Sequence, residues 1–175
     1  MRSNLQKDRH TTQEEGLCSQ ELVDAAKDWI AIDGLWFQAV EKAYGMEVAV
    51  TMDCKVWEQF AAIEAARIKK RLRLPNAGGM DALDAALRAR LVHNVNAFTI
   101  NRPNDKTLVF NISGCRVQSA RERKGLELFA CLPVGMIEFA VFARTIDSRI
   151  TTECISCPPE TKPGVQYCNW KFTLG

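Results

Sequence analysis

The chain has 175 residues, 47% hydrophobic and 25% charged, with a formal net charge of +2. That length fits one domain with a buried core, and the composition excludes disorder, collagen and low complexity as whole-chain descriptions. No run of about 18 uncharged apolar residues exists, so no membrane span is expected, and so small a net charge argues against nucleic acid as a partner.

Residues 1–18 are polar and aperiodic and read as a flexible N-terminal arm, with 19–175 as a single α+β domain. The arm carries charge with no apolar stretch behind it, so no signal peptide is visible and the protein reads as cytoplasmic. Ser19 at an N-cap with Glu21 in the first turn starts a helix. Leu22, Ala25, Trp29, Ile32, Trp36, Ala39 and Ala43 follow at helical spacing and form its expected buried face, widened in the middle by Ile30 and Phe37, until Gly45 ends it. The face is wide enough to leave room for a homodimer. Residues 46–74 read as a second helical stretch, with a break expected near Thr51-Met52-Asp53, a stripe of Val56, Phe60 and Ile63, and an apolar face continued by Ile68 and Leu72. Pro75 to Gly79 form a loop, and Asp81 is expected to cap a third helix carrying Leu83, Leu87 and Leu91.

The period then switches to two. Residues 95–102 and 106–113 flank Pro103-Asn104-Asp105 and read as a hairpin. A short basic helix follows over 116–124, stopped by Gly125, and Pro133 suits the first turn of another helix ending near Ile146. Strands 149–155 and 166–173 form a second hairpin. The resulting expectation is α+β: N-terminal helices packed on one antiparallel sheet of about four strands, made of two hairpins separated by two helices.

Cysteines mark the C-terminal part. Of seven, five (Cys115, Cys131, Cys154, Cys157 and Cys168) fall between residues 115 and 168. In a reducing compartment such density points to metal or to thiol chemistry before disulfides. Cys154-Ile155-Ser156-Cys157 is a C-x-x-C pair, and its sulfurs reach one centre only where the strand turns. Cys115 and Cys131 each precede a helix, where free N–H groups and the dipole favour a thiolate. The five are therefore candidate ligands of zinc or an iron–sulfur cluster, both of which accept four thiolates.

Cys115 and Cys131 are also candidate nucleophiles. Asp33, beside Trp29, Trp36 and Phe37, and Glu138, among Met136, Ile137, Phe139 and Val141, are candidate acid/base groups lining a pocket. Glu41 and Glu64 read as surface charges. Arg67 to Arg73 reads as a solvated basic face, and Arg116, Arg121, Arg123 and Lys124 as a basic surface or an anion site.

Three segments carry a family resemblance: Ile32-Asp33-Gly34-Leu35-Trp36-Phe37 with Ala39-Val40-Glu41; Gly114 to Arg121; and Cys154 to Pro159 followed by Tyr167 to Phe172. Across about residues 20–174 the chain resembles a family of small, uncharacterised prokaryotic cytosolic proteins. More distantly, Cys115, Cys131 and the final Cys168-x-Trp-x-Phe resemble the aminothiazoline-carboxylate hydrolases, which open a small sulfur heterocycle. The last hairpin is also similar to vinyl-reductase-type hydrocarbon-binding domains, which are α+β, bind small apolar molecules and are linked to metal-binding cysteines. These likenesses imply an α+β fold and a small-molecule ligand.

The reading these residues support first is a Cys-ligated metal or iron–sulfur domain with an adjacent small-molecule pocket. Its alternatives are a hydrolase or lyase acting on a small sulfur-containing or heterocyclic compound, and a metal-free small-molecule-binding module.

Overall fold

Gly45 stands alone between two long helices, α1 (Asn4–Tyr44) and α2 (Met46–Leu72), and its φ of 88° is one that glycine adopts without strain. A one-residue turn therefore folds α2 back along α1. Trp29 stacks on Phe60 at 5.5 Å and meets Trp57 edge-on at 6.1 Å, which fastens the pair. The structure, a computed structural model, describes residues 4–161 and 168–175, with side chains from residue 20 onward. The N-cap expected at Ser19 is a mid-helix position instead, since α1 already starts at Asn4. The side chains of the expected arm lie outside the described residues.

The buried face of α1 differs from the one its apolar residues suggest. Ile30 is buried as expected, with Ala26 beside it, while Ile32 and Trp36 of the expected face, and Leu35, are exposed. The helix is apolar on two sides, and the inward side carries Asp33, Phe37 and Glu41, whose charges mask it. In α2 the helix is unbroken through Asp53; Ile68 is buried as expected, but Trp57, Ala61 and Ala65 complete the inward stripe in place of Val56 and Ile63, and Phe60 lies at its edge against Trp29.

The third helix, α3 (Gly79–Arg88), buries Met80, Leu83 and Leu87. Its start is held by the Asp147 carboxylate, which accepts from the Gly79 N–H at 2.9 Å. Asp81, the expected cap, lies in the first turn instead. A single 3-10 turn (Leu91–Asn94) leads to the first hairpin, β1 (Ala97–Asn104) and β2 (Thr107–Gly114). Helices α4 (Arg116–Arg123) and α5 (Leu132–Ile146) follow, then β3 (Ile150–Ser156) and β4 (Cys168–Leu174). The expected first two residues of the last strand, Gln166 and Tyr167, lie outside the described residues.

The architecture is α+β, with N-terminal helices against a four-stranded antiparallel sheet of order β1-β2-β4-β3. Register puts Leu108 opposite Phe172, Phe110 opposite Trp170 and Ile112 opposite Cys168. Opposed residues share a face, so these six form one apolar surface beneath the helices. Val109 opposite Lys171, Asn111 opposite Asn169 and Thr107 opposite Thr173 make up the other face, which is mostly polar. Helix α5 lies directly on the sheet: Phe139 packs at 4.7 Å on Trp170, and a Cβ at Gly135 would stand 2.6 Å from the same indole. No described helix is long and apolar enough to cross a membrane.

Candidate functional site

Between α1 and α5, over the Ile112–Cys168 end of the sheet, the helices leave a cavity of about 390 Å³. Each wall comes from a different element. Helix α1 contributes Trp29, Asp33 and Phe37; α2 contributes Asp53 and Trp57; the 3-10 turn contributes His93. Helix α5 contributes Gly135, Glu138 and Phe139, and β4 contributes Cys168 and Trp170. Helix α4 closes the cavity from outside. Its Arg121 is buried and forks onto Glu41 of α1, with Nη1 and Nη2 donating to the two carboxylate oxygens at 2.8 and 2.7 Å. Lys124 adds a bond to Gln38 at 2.8 Å. Arg121 is thus no part of an open basic surface, and Glu41 is no mere surface charge.

Three carboxyl groups face this space. Burial raises Asp33 above the ordinary carboxylate range. Burial, then the neighbouring charges of Asp33 and Glu138, push Asp53 up to about 7, with the Trp57 indole acting weakly against them. Glu138 is also raised by burial, although Arg90 pulls it the other way. Arg90 is fully buried between two acids, with Nε donating to Glu64 at 2.9 Å and Nη2 lying 2.7 Å from Glu138. Its guanidinium also lies 4.8 Å from the Phe142 ring centre. Glu64 therefore belongs to an internal ion group rather than to the surface. Asp33 and Asp53 have no cation among the described residues acting on them.

His93 is 8% exposed and rests against Phe98 and Phe110. Burial and the Arg90 charge lower it to about 3, so the ring is neutral. Its Nδ1 donates to the Leu87 carbonyl. A neutral imidazole has one N–H, so Nε2 is a bare acceptor. It pairs with none of the described residues, and the ring lines the cavity.

The thiols occupy different places. Cys115, Cys131 and Cys168 line the cavity, whereas Cys154 and Cys157 hydrogen-bond to each other at the end of β3, outside its lining. Cys115 and Cys131 do hold the N-cap positions of α4 and α5. Burial works against the thiolate expected there. Burial pushes Cys115 up despite the helpful N–H groups of Gln118 and Val117. It raises Cys131 further, with Cys115, Cys168 and Cys157 adding repulsion, and raises Cys168 as well. Cys157 is pushed up to about 12 by burial and its Cys154 neighbour.

The metal reading is corrected on geometry. Among the described residues no three Cys, His, Asp or Glu side chains come together as metal ligands. Cys115, Cys131, Cys154, Cys157 and Cys168 therefore form no shell for zinc or an iron–sulfur cluster. The C-x-x-C pair turns its sulfurs on each other, and Cys131 accepts instead from the Gln118 amide at 3.0 Å. That amide is wholly buried, bonding both the N–H and the carbonyl of Phe129 at 3.0 and 2.8 Å.

Asp53, Trp57 and His93 escape a reading of the sequence alone. Asp53 and Trp57 share a helix face at i, i+4, a signal hidden by the expected break at that point. His93 carries no spacing signal at all.

No curated protein and no solved structure matches the chain. Residues 11–174 match a family described as a family of unknown function, DUF6125. The match spans nearly the whole chain, including every wall of the cavity, and the chain belongs to that family.

Proposed function

We propose that this chain is a metal-free small-molecule-binding module whose ligand occupies the cavity between α1, α4, α5 and the sheet. The observation that carries this reading is the cavity itself. About 390 Å³ of space with largely apolar walls, several of them aromatic, and a few polar groups is the make-up of ligand sites. A folded core of this size is ordinarily filled to crystal-like density. The likeness of the last hairpin to hydrocarbon-binding domains supports the same reading. The likeness to aminothiazoline-carboxylate hydrolases would need an activated thiol, and the raised Cys115 and Cys131 weigh against one.

The test is a titration with small neutral aromatics, indole and 2-phenylethanol, followed by backbone amide NMR. Shifts gathered on residues around Trp29, Asp53, His93 and Phe139 support the proposal. An unchanged spectrum at millimolar ligand overturns it. The exposed apolar stripe of α1, with Ile32, Leu35 and Trp36, is the surface a homodimer would bury, and sedimentation equilibrium decides that pairing.

A further inference from the structure

We infer that the cavity takes a small apolar amine in its protonated form, the ammonium held by the Asp33 and Asp53 carboxylates and the bare Nε2 of His93. The inference rests on the binding-module reading and names its ligand class. Three observations converge on it.

The two carboxylates and His93 Nε2 are acceptors, whereas the Trp170 Nε1–H of the same lining is a donor. An ammonium offers three N–H donors and no acceptor, which matches two carboxylates and an imidazole lone pair. His93 matters most, because it is buried, its tautomer is fixed by the Leu87 carbonyl, and Nε2 has no partner among the described residues. A donor from a ligand completes it.

The charge inside is also uncompensated. Arg90 is taken by Glu64 and Glu138, Arg121 by Glu41, and Lys27 by Asp24 at 2.9 Å. The other basic residues of the lining, Arg116, Arg123 and Lys124, are exposed at the mouth. Asp33 and Asp53 repel each other in a largely buried site, and a bound cation relieves that repulsion.

Finally, Trp29, Phe37 and Trp57 stand beside these acids in the lining. Aromatic faces attract a cation and pack an apolar body, so one ligand with both parts satisfies the wall and the acids together.

The experiment compares three ligands of one shape: 2-phenylethylamine, 2-phenylethanol and 3-phenylpropionate. Binding is followed by calorimetry and amide NMR at pH 8, where Asp53 is mostly ionised and the amine still protonated. The amine is expected to bind at least tenfold more tightly than either analogue, with shifts at His93. Asp53→Asn and Asp33→Asn, each shown folded by its melt, are expected to remove that preference by weakening the amine at least tenfold more than the alcohol. Equal or tighter binding of the alcohol overturns the amine and leaves the pocket reading standing. Tightest binding of the carboxylate overturns it too, and assigns control to the basic mouth. If none of the three perturbs the cavity resonances, both readings fall.

Discussion

Asp53 faces Asp33 of α1 and Glu138 of α5 across the cavity, with the Trp57 indole on its own helix. In the unfolded chain an aspartate ionises near pH 3.9, whereas folded Asp53 keeps its proton to about 7. Between those values the folded state binds more protons. The stability this group confers is therefore full below pH 4 and falls as pH rises through 7. Asp53→Asn is expected to be more stable than the parent at pH 8, by about 1–3 kcal/mol, and equal to it at pH 4. Urea unfolding at both values checks this, and a gain of the same size at both would show that the effect is not ionic. His93 works in the opposite sense, because its lowered value means stability is lost as pH falls below about 6.5. Comparing variant with parent at each pH isolates Asp53 from it. The thiols give a second expectation at this scale. Cys115, Cys131 and Cys154 are all half-buried and raised first by burial, but Cys154 stands at the end of a strand outside the cavity, where its Cys157 hydrogen bond pulls it the other way. In folded protein at pH 7.5 Cys154 is expected to be alkylated before either of them, and peptide-resolved labelling in which Cys115 or Cys131 leads would restore the helix-dipole effect as dominant.

Helix α4 is tied to α1 by Arg121 on Glu41 and Lys124 on Gln38, and to the segment before α5 by Gln118 on Phe129 and Arg121 on the Glu127 carbonyl. Arg121→Lys keeps the charge but cannot fork onto both oxygens of Glu41. It is expected to raise amide exchange across 116–124 by at least tenfold, leaving α2 and α5 unchanged. Uniform exchange across the molecule would mean that α4 has no separate opening. Gly135→Ala tests the opposite wall. Its methyl would stand 2.6 Å from Trp170, and the cost is expected to be about 1–3 kcal/mol in urea unfolding, with altered tryptophan fluorescence. These elements show where the sequence is legible. The switch from helical to alternating spacing near residue 95 marks the sheet, and Pro133 and Gly125 mark helix ends, because each signal is local. The inward face of α1 is not legible: Asp33 and Glu41 look solvent-facing until Arg121, eighty positions after Glu41, is brought against that face. The apolar neighbours of Asp33 and Glu138 do mark those two acids. His93 and the cavity depend on where several elements meet, which no spacing records.

For the whole molecule, the separated thiols imply that folding does not draw on metal binding. A strong chelator is expected to leave the melting temperature unchanged to within about a degree, since metal binding and folding free energy are linked only where a shell exists. A fall of several degrees with stoichiometric metal release would reinstate a thiolate site. The strand order has a different kind of consequence. Because β4 lies between β2 and β3, the two hairpins of the sequence do not complete the sheet independently. During synthesis β1 and β2 can pair as soon as they leave the ribosome. The second edge of β2 and the paired edge of β3 then wait for residues 168–174. Until those residues emerge, the nascent chain carries open strand edges and the apolar surface that Trp170 and Phe172 later complete, so its exposure to misassociation is set by the timing of one late strand.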